Sequence, residues 1–203
     1  YAYSKYLGDI TVNFNDQGVV TATKGAPILL DASVTPDEGY AARVKELGKP
    51  LEELKAKVVG SAADTIDGDR KSCRAVECSM GNLVADAALD RVASQGITIS
   101  IANGGGLRAS IDAGDVTMGE VLTVLPFQNT IATFQIDGAG IKEALENGVS
   151  QVDEGAGRFP QVSGLKYTFD RSKPVGSRIT SVEVKEGDAF VPLDPAKTYG
   201  VVT

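Results

Sequence analysis

From Leu7 to Phe14 apolar and polar residues alternate, the period-2 signature of a half-buried strand over residues 6–14. Asn15-Asp16-Gln17-Gly18 marks a turn, and Val19 to Ala22 begins a returning strand. Ala26 to Leu30 reads as a further short extended piece. Thr35-Pro36-Asp37-Glu38 has the composition of a helix start, with Thr35 as the cap and Pro36 in the first turn. The dense charge and Ala, Leu and Glu content from Glu38 to about Lys57 predict a long surface helix, interrupted by Gly48 and Pro50.

Beyond that helix the pattern mixes the two periods. Val58 to Ile66 reads as a strand and Gly68 to Ser72 as a polar loop. Residues 79–94 suit a helix capped by Ser79 or Asn82, with Leu83, Ala87 and Val92 on its apolar face. Ile97 to Ala102 alternates as a strand and runs into Gly104-Gly105-Gly106. A short helix is expected from Thr117 through Val124, a strand over 131–136, an amphipathic helix over 139–151, and strands over 165–169 and 179–184. A last strand begins at Tyr199 and stops at Thr203 in mid-element. Phe159, Phe169 and Phe190 read as core or strand residues. Strands and helices interleave without strict βαβ regularity, so the expected class is α+β with mixed sheets and layered helices. Three segments follow: 1–30, a connector over 31–57, and a domain over 58–203.

Composition narrows the chemistry. The 203 residues are 42% hydrophobic and 23% charged, as in an ordinary globular chain, and no apolar run reaches the roughly 18 residues of a membrane span. The chain opens on Tyr1-Ala2-Tyr3 without Met or a signal-peptide pattern, and reads as a processed or excised piece. Its net charge of -7 and lack of a Lys/Arg block argue against a nucleic-acid polymer, though not against one small nucleotide. The chain has no His, so it cannot assemble a Ser-His-Asp triad or a His-rich metal centre. Carboxylates remain for acid–base or magnesium chemistry. The two Cys, Cys73 and Cys78, are too few for a four-ligand zinc site; a small-loop disulfide is the preferred reading over two free thiols, and would imply an oxidising compartment.

Three places can carry chemistry. Asn103-Gly104-Gly105-Gly106-Leu107-Arg108 offers an amide for a base edge, glycine amides for an anion and a guanidinium for phosphate or carboxylate; a plain tight turn with a solvated arginine is the alternative. Arg70 and Arg74 flank Cys73, where spacing alone favours exposed loop charges. Leu125-Pro126-Phe127-Gln128-Asn129 could hold Phe127 outward to stack on a base, or simply bury it. Asp64, Asp67 and Asp69 lack the pattern of a calcium loop and read as solvated loop charges.

In order along the chain, Cys73-Arg74, Glu77-Cys78-Ser79-Met80-Gly81-Asn82-Leu83, Asn103 to Arg108 with Ile111-Asp112, and Leu125-Pro126-Phe127 resemble the C-terminal domain of the 5′-nucleotidase family. Gln161-Val162-Ser163-Gly164-Leu165 and Tyr199 to Thr203 also fit. The opening Tyr6-Leu7-Gly8 hairpin is similar to the last strands of the family's metallophosphatase domain. The resemblance implies a nucleotide or nucleoside ligand, with Arg74 and Arg108 contacting it, Asn103 at the base edge and Phe127 as one stacking wall. The same resemblance implies substrate contacts from Arg70 and Asn129. It also implies that catalysis, with two divalent metal ions, belongs to an N-terminal domain that is a partner to this one, so that this chain has no catalytic or metal-ligating residue and is inactive alone. A second stacking Phe and an Asp would lie beyond Thr203. A periplasmic or extracellular hydrolase is expected. The alternatives are a stand-alone nucleotide-binding module, a bifunctional UDP-sugar hydrolase or 2′,3′-cyclic-nucleotide phosphodiesterase, and a surface or adhesion module.

Overall fold

A computed structural model describes residues 4–203; the first three residues of the expected 1–30 segment lie outside the described residues. The chain divides into two compact units, one ending at Leu51 and the other running from Glu52 to Thr203.

In the first unit β1 (Tyr6–Phe14) pairs antiparallel with β2 (Val20–Leu29), a continuous strand where two pieces were expected. The hairpin register carries through Gly25, which faces Asp9 and Ile10 too closely for a side chain. Asn15 Oδ1 accepts from the Gln17 and Val19 amides and closes the turn. Helix α1 (Glu38–Ala56) differs from expectation at both control points. Asp37, not Thr35, caps it, accepting from the Tyr40 amide at 3.0 Å, so Thr35 and Pro36 precede the helix. Pro50 lies inside the helix without ending it, because losing one N–H removes a single bond from a ladder that neighbours on both sides maintain.

The second unit is built around a mixed four-stranded sheet in the order β6 (Thr133–Asp137), β11 (Thr198–Val202), β4 (Ile99–Asn103), β7 (Pro160–Ser163). Strands β11 and β4 run parallel and the outer pairs antiparallel. Consecutive residues face opposite sides of a strand, so Val201 enters one core and Val202 another. The first core takes Ile141, Leu145 and Val149 from α5 (Gly138–Val149), together with Ile99, Phe159 and Tyr199. The second takes Val92 from α3 (Ser79–Val92) with Ile97. The sheet is thus covered by α5 on one face and α3 on the other, the α+β layering expected from the interleaved periods.

A three-stranded antiparallel sheet, β10 (Ala189–Pro192), β9 (Ile179–Glu186), β8 (Leu165–Phe169), adds Leu165, Ile179 and Val184 to the α5 core. A small ribbon pairs β3 (Val58–Ala62) with β5 (Gly114–Thr117), and Ile66 continues it only as an isolated bridge to Ile111. Helix α4 (Met118–Val124) follows β5 behind a capping box between Thr117 and Glu120. Strands β5, β7 and β10 span four residues each, too short for their alternation to stand out in the sequence.

Candidate functional site

The stretch expected as a polar loop contains a single helical turn, α2 (Arg70–Cys73), capped by Asp69, whose carboxylate accepts from the Lys71 amide at 2.7 Å. Asp67 accepts in turn from the Asp69 amide at 2.8 Å, so these carboxylates organise the chain and are not simply solvated. Arg70 opens the turn, exposed, and Arg74 follows its last residue. Cys73 and Cys78 form a disulfide with their Cα atoms 5.2 Å apart, closing the segment that carries Arg74. Cys78, rather than Ser79 or Asn82, caps α3, its Sγ accepting from the Gly81 amide at 3.2 Å. The Ser79 hydroxyl reaches back to the Asp67 amide at 2.7 Å.

Strand β4 ends at Asn103, and Gly104–Gly106 continue as a 3₁₀ turn. None of these glycines has positive φ; close approach is what requires them. A Cβ on Gly104 would occupy the Cys73 carbonyl oxygen, and one on Gly105 would lie 2.7 Å from the Gly157 Cα. The expected glycine-amide anion cradle is absent at two of the three positions. The Gly104 amide donates to the Phe159 carbonyl at 2.8 Å and the Gly105 amide to the Gly157 carbonyl at 2.7 Å, as sheet-end bonds.

Positive charge converges here instead. Arg74 donates weakly to the Gly155 carbonyl at 3.4 Å, while its Nε is buried without a partner. Burial lowers the affinity of this guanidinium for its proton, and the charges of Arg70 and Arg108 lower it further. Among the described residues no carboxylate forms an ion pair with Arg70, Arg74 or Arg108. Arg108 reaches the Gly105 carbonyl at 3.5 Å and lies over the Phe127 ring, 5.5 Å from its centroid. The Arg108 amide is bonded to the Val124 carbonyl at 3.0 Å, which ties it to the end of α4. The chain leaves α4 at Leu125-Pro126, and Phe127 stands 56% exposed, which excludes the alternative of a buried ring. Asn129 is exposed in the same loop, past Gln128 with its φ of 54°. Asn103 donates through Nδ2 to the Gly157 carbonyl at 3.3 Å.

Sequence reasoning missed the segment Gly155-Ala156-Gly157, whose carbonyls hold Arg74, Asn103 and Gly105. Its run of small residues was the available signal. Arg178 anchors the preceding turn from within the protein, donating to the Val149 carbonyl at 2.9 Å and to Asp153 at 2.8 Å.

A cavity of about 800 Å³ lies elsewhere in this unit, between α3 and the β8–β9–β10 sheet. Several of its polar wall residues pair with one another, Asn82 with Glu77 and Thr168 with Ser181, while Lys166 lies over the Phe190 ring. The arginine cluster has no counter-carboxylate among the described residues and one unpartnered donor, Arg74 Nε, beside an exposed ring, which suits an anionic ligand carrying a planar group. No three His, Cys, Asp or Glu side chains among the described residues are gathered to hold a metal ion, so the residues present do not fit a two-metal centre.

The 5′-nucleotidase C-terminal domain family matches residues 58–203. The chain is 39% identical to the trifunctional nucleotide phosphoesterase protein YfkN of Bacillus subtilis, over 99% of its own length and 14% of that protein. It is 36% identical to the snake venom 5′-nucleotidase of Macrovipera lebetinus, over 100% of its length and 53% of that protein. The chain therefore spans only part of these relatives. The crystal structure of a 5′-nucleotidase precursor from Thermus thermophilus superposes with a TM-score of 0.76 at 42% identity, covering 98% of this chain and 39% of that one. The sequence resemblance, the α+β layering and these matches agree: the chain belongs to the 5′-nucleotidase family and contains its C-terminal domain.

Proposed function

We propose that this chain is the substrate-binding part of a secreted, metal-dependent phosphohydrolase acting on nucleoside 5′-monophosphates or related nucleotides. The observation that carries this reading is the convergence of three guanidiniums without a counter-carboxylate, one with a buried, unpartnered Nε, beside an exposed Phe ring. Like charges packed this way repel, and a bound phosphate turns that cost into attraction. Arg74 and Arg108, with Arg70 at the rim, hold the phosphate; Asn103 meets the base edge; Phe127 stacks on the base, with Asn129 nearby. Residues 4–30 belong to the end of a metallophosphatase domain, a reading supported by their wholly exposed apolar side chains. In this reading two divalent metal ions and the hydrolytic step belong to that other domain, as the family resemblance implies. A disulfide in the substrate-binding domain and a venom relative support a periplasmic or extracellular location.

Titration calorimetry with AMP tests the site. Arg74→Met is expected to weaken AMP binding about tenfold to a hundredfold, the scale of a lost charge-assisted hydrogen bond. Unchanged affinity would overturn the assignment. Phosphate release from AMP by this chain with manganese, cobalt or zinc would overturn its expected inactivity. The name of the Bacillus relative favours a second reading, in which other nucleotide phosphoesters are also accepted; competition of UDP-glucose or a 2′,3′-cyclic nucleotide with AMP tests it.

A further inference from the structure

We infer that Gln161 is the positioning residue of Arg74, setting the arginine segment against Asn103 and the glycine turn; this rests on the reading of Arg74 as an anion-binding group. Gln161 lies in β7 and is 1% exposed. Its carboxamide makes three bonds to the disulfide segment. Nε2 donates to the Cys73 carbonyl at 3.0 Å and the Val76 carbonyl at 2.8 Å, and Oε1 accepts from the Cys78 amide at 3.2 Å.

The disulfide joins the two ends of this segment to each other, and does not fix where the segment sits against the sheet. Gln161 does that. It is the register partner of Ala102 in β4, immediately before Asn103. The Cys73 carbonyl that it holds is the group pressed against Gly104. One side chain thus spans Arg74's segment and the strand that presents Asn103. Among the described residues, an exposed bond from Arg171 to the Ala75 carbonyl, 2.8 Å, is the other long-range side-chain tie to the segment's carbonyls.

The chemistry of the position is restrictive. Only a neutral group with two N–H donors and an acceptor at this length satisfies two carbonyls and an amide. Gly81 is fitted to it, since a Cβ there would overlap the Gln161 carboxamide and lie 2.6 Å from its Cγ. Burial makes each of these bonds costly to leave unmade.

The experiment compares Gln161→Met, Gln161→Glu and Gly81→Ala with the parent chain, after thermal melting confirms that each folds. Nitrogen-15 relaxation of the Arg74 Nε–H reports the order of that side chain without any ligand. Titration with AMP and with adenosine then separates phosphate binding from base binding. The expected result is a more mobile Arg74 and AMP affinity about tenfold weaker, one buried hydrogen bond's worth, with adenosine affinity unchanged. A folded Gln161→Met in which Arg74 is as ordered as in the parent would overturn the inference, as would equal losses for AMP and adenosine. If AMP binds neither parent nor variants, the reading of the site fails, and the Arg74 relaxation still decides the positioning. If all three variants unfold, Gln161 is a determinant of the fold and the inference is overturned.

Discussion

The hairpin of the first unit and the β4–β11 pair of the second obey the same period-2 rule and meet opposite fates. Ile10 and Phe14 in β1 are 71% and 61% exposed, while Ile99 and Val201 are 1% exposed. Every described residue of the first unit except Gly48 is exposed. Alternation makes a strand with an apolar face, and only a second layer buries that face. The second unit supplies α3 and α5 as layers.

The largest test of this contrast is stability. Leu145→Ala, at 0% exposure in the α5 core, is expected to cost about 2–5 kcal/mol by denaturant unfolding. Ile10→Ala is expected to stay within about 0.5 kcal/mol. Similar losses at the two positions would break the comparison.

Next in size is the disulfide. Replacing Cys73 and Cys78 together by Ala opens a short loop and is expected to remove about 2 kcal/mol by the chain-entropy account, read from the same unfolding curves. A loss of AMP affinity without a loss of stability would show instead that the bond serves the site alone.

Exposure does not by itself distinguish a functional ring from one awaiting a layer, since Phe127 and Phe14 are similarly exposed at 56% and 61%. Their alanine variants should separate them. Phe127→Ala is expected to weaken AMP binding by about 1–2 kcal/mol, toward the low end for a stacked base, and Phe14→Ala to leave it unchanged. Calorimetry reads both.

The smallest effect is one that the two regions share. Asp31 in the first unit and Asp170 in the second each accept from the amide and hydroxyl of the Ser two residues on, at 2.9 and 2.6 Å. The Ser hydroxyl first, and then its amide, hold each carboxyl below its ordinary value of 3.8. A lowered folded-state value means that the contribution to stability is present above pH 3.8 and is lost as pH falls through the lowered value. Ser33→Ala and Ser172→Ala should raise the two titration midpoints alike by NMR; a shift at only one would show that tertiary context governs the turn.

Much of the site was legible as an order of short motifs. Residue type and spacing left Arg74, Asn103, Arg108 and Phe127 with bland alternatives, and the family resemblance singled them out; the structure brings Arg70, Arg74 and Arg108 into one field and Phe127 under Arg108. The supports were not legible. Gln161 stood out only as part of a family motif, without a role; it, Arg178 and the Gly155–Gly157 carbonyls act across separations of about 30 to 90 residues, and no local pattern marks a carbonyl as a partner. Pro50 and Thr35 misled because helix signals are statistical, while the actual cap depends on which side chain reaches a free amide.

The sequence by itself determined what is local: the alternating strands, the Asp-x-Ser turns, the capping box of α4, the absence of His and the residue types of the site. Tertiary structure alone decided which apolar faces were buried and why Gly104 and Gly105 must be glycine. It also left Arg74 Nε without a partner. Those outcomes depend on what arrives from distant parts of the chain, and neighbouring residues carry no record of it.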